Sequence, residues 1–148
     1  MTLIYRENVR RFARWALAAT FLAAGVLHIH APRPFIAITP SWVPHPEAVI
    51  FVTGLCEIAG AAGLMIPRLR RLAGIMLALY ALCVFPANVH HAFAHISVGK
   101  GPPLDWWYHG PRLAFQPVII WWCLFAGGAV DWPLTRVRPA SSPRRANP

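Results

Sequence analysis

Four long apolar segments constrain the fold of this chain more than any other feature of its sequence. They cover residues 12–30, 48–66, 72–95 and 112–130. A helix of about 19 residues is roughly 28 Å long, which matches the hydrocarbon core of a bilayer. The pattern therefore predicts an all-α membrane protein, in which four transmembrane helices form one bundle.

The composition excludes other common classes of protein. Hydrophobic residues make up 57% of the 148 residues and charged residues only 13%, whereas soluble domains usually carry about 25% charged residues. The three cysteines form no CxxC pair, which argues against a disulfide scaffold and a zinc ribbon. We expect one four-helix membrane domain over residues 1–138. A disordered cytoplasmic tail is expected over residues 139–148, which have no large apolar side chain.

The basic residues indicate how the helices are oriented. Eleven of the 14 Lys and Arg residues lie near the N-terminus, between the second and third segments, or in the C-terminal tail. These regions face the same side if four helices alternate in direction, and the positive-inside rule then places both termini in the cytoplasm. The sequence thus predicts a multi-pass protein of the cytoplasmic membrane, whose basic residues contact anionic lipid rather than nucleic acid.

The two connections on the other side differ from ordinary polar loops. Residues 31–47 contain five prolines, which exclude a long helix, among apolar residues that resist full hydration. This segment is expected either to lie on the membrane interface or to fold back as a lid over the bundle. In the second connection, Trp106, Trp107 and Tyr108 are typical of an aromatic belt at the level of the lipid headgroups.

Glu57 lies in the middle of the second segment and opposes its insertion into a membrane. A charge at the centre of a membrane-spanning helix costs about 2.5–3.5 kcal/mol, so the carboxyl needs a partner or must be neutral. Gly54, Gly60 and Ala61 share its helical face and allow a neighbouring helix to approach closely. We therefore expect Glu57 to point into the bundle, where it either has a functional role or only holds two helices together.

The other three segments carry polar residues toward one end of the bundle. Alternating helix directions place these side chains in the outer half of the bilayer, with Glu57 below them near the midplane. The predicted set of ligand-binding or proton-exchanging residues is His28, Glu57, Asn88, Arg112 and Gln116. Pro86 has no amide to donate to the carbonyl of Leu82, so a kink is expected in the third helix.

The histidines raise the alternative of a metal or haem site. His91 and His95 are four residues apart, a spacing that can hold a metal ion on one helical face, and histidines on opposing helices can ligate haem. Histidine is also tolerated at a membrane interface without a ligand. Because no cluster of Cys or carboxylate ligands accompanies these residues, the sequence predicts no metal site and leaves His91 and His95 as the candidate pair.

Four motifs, in order along residues 20–122, resemble those of the DoxX-like family of small membrane proteins. They are GVLH at 25–28 followed by FIAITPSWVP at 35–44, TGLCE at 53–57, VFPAN at 84–88 and RLAFQ at 112–116. The chain departs mildly from the family pattern at Ile29 and Thr53, and at Ala114, where a proline is usual.

The resemblance implies a four-helix bundle in a bacterial cytoplasmic membrane. The family is named after a small subunit of a thiosulfate:quinone oxidoreductase, and related proteins are linked to redox maturation. Most members that resemble this chain have no assigned activity. The positions that fall on family motifs by resemblance are His28, Glu57, Asn88, Arg112 and Gln116.

Three functions are open from the sequence. The first is a membrane subunit or accessory protein that binds a quinone or similar amphiphile for a redox protein partner. The chain has no flavin, nicotinamide or iron–sulfur motif, so the electrons would come from that partner. The second is a non-enzymatic membrane scaffold, and the third is a small transporter or lipid-handling protein. The residues assign no reaction, no catalytic residue and no resident cofactor, although a quinone fits the first function.

Overall fold

A computed structural model describes residues 3–94 and 105–133, which form six helices. The helices are α1 Leu3–His30, α2 Arg33–Ile38, α3 Pro46–Met65, α4 Arg70–Phe93, α5 Trp106–Ala114 and α6 Gln116–Gly127. This part of the chain contains no strand, which confirms the all-α fold class. The tail over residues 139–148, for which disorder is predicted, lies outside the described residues.

Four of these helices pack as a bundle around one core. Helices α1 and α4 each pack against both α3 and α6, so the four helices close into a ring. Each of the four contributes one of the largest fully buried side chains, and these are Leu17, Leu64, Leu77 and Cys123. The core is therefore shared by all four helices and does not belong to any adjacent pair.

Helices α1, α3 and α4 have the length and the apolar composition needed to cross a membrane. Their outward faces carry exposed apolar side chains, such as Phe12 in α1, Val52 in α3 and Leu82 in α4, which are 76%, 54% and 56% exposed. Apolar side chains exposed along whole helices would favour aggregation in water, whereas lipid tails solvate them. The surface and the three long helices are those of a membrane protein.

The first and fourth predicted segments differ from the observed helices. Helix α1 begins at Leu3 rather than at residue 12, because no Gly or Pro interrupts the chain before Gly25. The segment over residues 112–130 is not one helix, since α5 ends at Ala114 and α6 holds only 12 residues. Pro117 has no amide to donate to the carbonyl of Leu113, which explains the interruption. At 1.5 Å per residue, α6 alone is roughly 18 Å long, shorter than the hydrocarbon core.

Glycines allow two pairs of helices to approach closely. A Cβ added at Gly25 in α1 would lie 2.7 Å from the carbonyl oxygen of Gly54 in α3. A Cβ added at Gly74 in α4 would lie 2.8 Å from the Cα of Gly127 in α6. The predicted close approach at the small-residue face of α3 is thus confirmed, and a second crossing of the same kind joins α4 to α6.

Residues 31–47 fold back over one end of the bundle, so of the two arrangements expected from the sequence the structure has the lid. Helix α2 within this lid packs against both α3 and α4. The Nδ1–H of His90 in α4 donates a hydrogen bond to the carbonyl of Ile38, with an N–O distance of 3.2 Å. The aromatic residues Trp106 and Trp107 are exposed, as an aromatic belt requires, but they lie in the first turn of α5 and not in a loop.

Candidate functional site

A cavity of about 440 Å³ lies beneath the lid, between α1, α3, α4 and the start of α6. We call it the polar cavity, because polar and charged side chains form part of its wall. Its wall includes all five site residues predicted from the sequence, namely His28, Glu57, Asn88, Arg112 and Gln116. The structure therefore brings together side chains from five different helices, α1, α3, α4, α5 and α6.

Glu57 forms the centre of the first group of polar residues, which we call the carboxylate cluster. Its side chain is only 4% exposed. The hydroxyl of Tyr80 donates to Oε1 over 3.0 Å, and Nδ1 of His28 lies 2.7 Å from Oε2. The carboxyl is thus held by one side chain from α4 and one from α1, which meets the requirement that a carboxyl inside a membrane has partners.

The position of the His28 ring indicates where its proton lies. Nδ1 is 2.7 Å from Oε2 of Glu57 and also 2.9 Å from the carbonyl oxygen of Ala24. A carbonyl oxygen can only accept a hydrogen bond, so both contacts are favourable when Nδ1 carries the hydrogen. The Nδ1–H of His28 then donates its hydrogen bond to the Ala24 carbonyl, and Oε2 of Glu57 lies beside it as an electrostatic partner. Nε2 is left to exchange a proton with a ligand or with water.

Tyr80 is the member of the carboxylate cluster that the sequence reasoning missed. The sequence contains a pattern that points to it. Residues at spacings of three or four share one face of α4, and these are Tyr80, Val84, Asn88 and His91. Tyr80 lies one helical turn before Val84 on this face, so the repeat alone would have added it to the predicted polar residues.

A second group of polar residues, the arginine network, lies in the same cavity. Nη2 of Arg112 donates to Oδ1 of Asn88 over 2.6 Å, and Nη1 donates to Nδ1 of His91 over 2.8 Å. Nδ2 of Asn88 donates in turn to Oε1 of Gln116 over 3.3 Å. The amide of Gln116 donates to the backbone carbonyl of Ala81 in α4. The network joins α5 and α6 to α4 and fixes the direction of the guanidinium.

His91 accepts a hydrogen bond from Arg112, and this contact does not suit a metal ligand. Since a guanidinium only donates, Nδ1 of His91 must accept, and a positive charge lies 2.8 Å away from it. The ring of His109, another buried histidine that the sequence reasoning did not single out, packs edge-on against His91 with a centroid distance of 4.7 Å. Within residues 3–94 and 105–133, no group of three His, Cys, Asp or Glu side chains is arranged for a metal. His95, the other half of the candidate pair, lies outside the described residues.

Pro86 lines the polar cavity from within α4, which continues past it to Phe93. Its missing amide leaves the carbonyl of Leu82 without the usual helical donor. The kink expected at this residue stays a prediction.

The remainder of the cavity wall is apolar. Phe35 in the lid stacks on the ring of His28 with a centroid distance of 3.9 Å. At the rim, Trp42 is 73% exposed, and Val49 and Cys83 are also exposed while lining the cavity. The cavity thus has polar groups in its interior and an apolar mouth. A molecule with a polar head and an apolar tail has the complementary shape and polarity.

Comparison with known proteins identifies the family. Residues 17–127 match a family model described as a domain of unknown function, DUF8561. This range contains every residue that lines the polar cavity. No curated protein and no solved structure matches the chain. Because the matched range covers well over half of the 148 residues, the chain belongs to the DUF8561 family.

Proposed function

We propose that this protein is a membrane subunit or accessory protein that binds a quinone or a similar amphiphile in the polar cavity for a redox protein partner. The observation that carries the proposal is the placement of Arg112, Asn88, His28 and Glu57 around one cavity whose rim is apolar. A water-soluble substrate would not need an apolar rim. A purely structural network would not need a cavity of about 440 Å³ beside it, a volume within the usual range for small-molecule sites.

The arginine network is suited to hold a ring carbonyl. A guanidinium has five N–H donors, and the contacts to Asn88 and His91 use two of them. The others can donate to an oxygen that enters the cavity, and a hydrogen bond from a charged donor contributes about 1.5–3 kcal/mol. Arg112 would therefore orient the head of the ligand, while Asn88 and His91 orient Arg112.

The carboxylate cluster is suited to exchange protons with the same ligand. Reduction of a quinone to a quinol consumes two electrons and two protons. In this proposal the redox partner supplies the electrons, because the chain carries no electron-transfer motif. His28 and Glu57 can pass protons between the ligand and the aqueous side, and Tyr80 holds the carboxyl in place.

The proposed arrangement in the membrane has four crossings and both termini in the cytoplasm of a bacterial cell. The three long helices are joined by α5 and α6, which together cover residues 106–127 and complete the bundle. The motifs that resemble the DoxX-like family lie on residues of the polar cavity, including His28, Glu57 and Gln116. This placement supports the proposal that the DUF8561 family is DoxX-like.

Reporter fusions test the four crossings. A reporter inserted at Lys100 and one placed after Val137 are expected to report opposite sides of the membrane, with the second on the cytoplasmic side. An alkaline phosphatase and a green fluorescent protein fusion at each position give reciprocal signals. If both positions report the same side, α5 and α6 do not cross the membrane.

The exposed cysteines offer a direct test of ligand binding. Cys83 and Cys56 are both exposed, but only Cys83 lines the polar cavity. A short-chain ubiquinone, whose fully substituted ring does not add thiols, is expected to slow the labelling of Cys83 by N-ethylmaleimide several-fold. Cys56 is the internal control and should be labelled at an unchanged rate, as measured by peptide mass spectrometry.

Three outcomes separate the functions that the sequence left open. Protection of Cys83 by ubiquinone supports the proposed function. Protection only by phospholipid indicates a lipid-handling protein and contradicts the quinone proposal. A third outcome is that Cys83 and Cys56 are labelled equally under all conditions and that no quinone is co-extracted during purification. This outcome indicates a non-enzymatic membrane scaffold.

A further inference from the structure

We propose that a second site, at the opposite end of the bundle, binds a phosphate group. A cavity of about 420 Å³, which we call the basic cavity, opens between the first half of α1, the end of α3 and the start of α4. Its wall is formed by Glu7, Arg11, Arg14, Trp15, Met65 and Arg70. Three guanidinium groups face one carboxylate there, so the described wall carries an excess of positive charge.

Arg14 is fixed in this wall by the end of another helix. Its side chain is only 6% exposed, and its Nε donates to the carbonyl oxygen of Ala126 over 3.1 Å. Ala126 lies in the last turn of α6, where backbone carbonyls have no partner within their own helix. The guanidinium is thus held in one orientation before any ligand arrives.

Arg70 supplies the second feature that points to an anion. Its Nε is buried and has no hydrogen-bond partner among residues 3–94 and 105–133. The charges of Arg14 and Arg70 also repel each other across the basic cavity. A buried cationic N–H without a partner is unfavourable, and an anion between the two arginines would remove both penalties.

Phosphate is the anion whose chemistry fits best. The planar guanidinium presents paired donors that match two oxygens of a phosphate. The apolar side chains beside the site favour a phosphate carried by a lipid, since Trp15 is 63% exposed and Leu69 is 44% exposed. Topology alone does not explain the arrangement, because the positive-inside rule requires basic residues near this end but does not require Arg14 to be buried.

A pair of arginine substitutions in the first turn of α4 tests the site. Arg70→Gln removes one cavity guanidinium, and Arg71→Gln removes the same charge from an exposed neighbour that does not line the cavity. Binding to the detergent-purified protein is measured by native mass spectrometry with phosphatidylglycerol, phosphatidylcholine and inorganic phosphate in turn. Phosphatidylglycerol is expected to bind most tightly. Arg70→Gln should weaken its binding about tenfold or more, whereas Arg71→Gln should leave it unchanged.

The three probes distinguish the source of the phosphate. Selective loss of phosphatidylglycerol in the Arg70 variant identifies a lipid headgroup. The same variant dependence with inorganic phosphate alone identifies a soluble phosphate. Equal effects of the two substitutions on the binding of all three probes, including no effect of either, overturn the proposal. Should the Arg70 variant not fold, Arg11→Gln takes its place with the same control and the same readings.

Discussion

Replacing Gly74 by alanine is expected to loosen the packing of α6 against α4 and to lower the stability of the bundle by about 2–3 kcal/mol. The added Cβ would lie 2.6 Å from the carbonyl oxygen of Cys123 and 2.8 Å from the Cα of Gly127. Both atoms belong to the backbone, so no side-chain rotation relieves the contact. The helices must move apart, and the core around Cys123 then loses its packing.

The control for this prediction is the same substitution at Gly110, where no atom lies within 4 Å of an added Cβ. We expect Gly110→Ala to change the stability by less than about 1 kcal/mol. Thermal unfolding in detergent, followed by circular dichroism and by size-exclusion chromatography, measures both variants. Equal unfolding temperatures for Gly74→Ala and the unmodified protein would show that α4 and α6 do not cross at these glycines.

Replacing Arg112 by glutamine is expected to weaken binding of a short-chain quinone at least about tenfold, because the variant lacks the charged donor to the ring carbonyl. The substitution also removes the two hydrogen bonds that the guanidinium donates to Oδ1 of Asn88 and to Nδ1 of His91. Asn88 is then no longer held in one orientation, and its hydrogen bond to Oε1 of Gln116 weakens. Isothermal titration calorimetry of the purified protein measures the affinity.

Arg33→Gln is the matched control for Arg112→Gln. Arg33 is an exposed residue of the lid helix α2 near the same end of the bundle, and it does not line the polar cavity. Its substitution removes the same charge and should leave quinone affinity within about twofold. If the two variants bind equally well, the guanidinium of Arg112 is not the group that holds the ligand, and the proposed function fails.

Much of the architecture follows from the sequence through properties of single segments. The helical part of each long span was predictable because an apolar run of about 20 residues is stable in lipid only when its backbone is hydrogen-bonded within the segment. The inward direction of Glu57 follows from the cost of presenting a carboxyl to lipid. The shared level of His28, Asn88 and Arg112 follows from alternating helix directions, and the structure places all three on one cavity.

The tertiary structure decided the features that depend on which helical faces meet. Tyr80 is compatible with an apolar face of α4, and only the approach of α3 makes it the donor to Glu57. The close contact of Gly74 with Gly127 joins segments more than fifty residues apart, and a glycine in a span does not show which helix it will meet. In the sequence, Arg14 is one of several basic residues near the N-terminus. Only the tertiary structure shows that its side chain donates a hydrogen bond to a backbone carbonyl at the end of α6. Transfer of one segment into lipid is a local property of its residues, whereas the pairing of faces depends on the packing of all four helices at once.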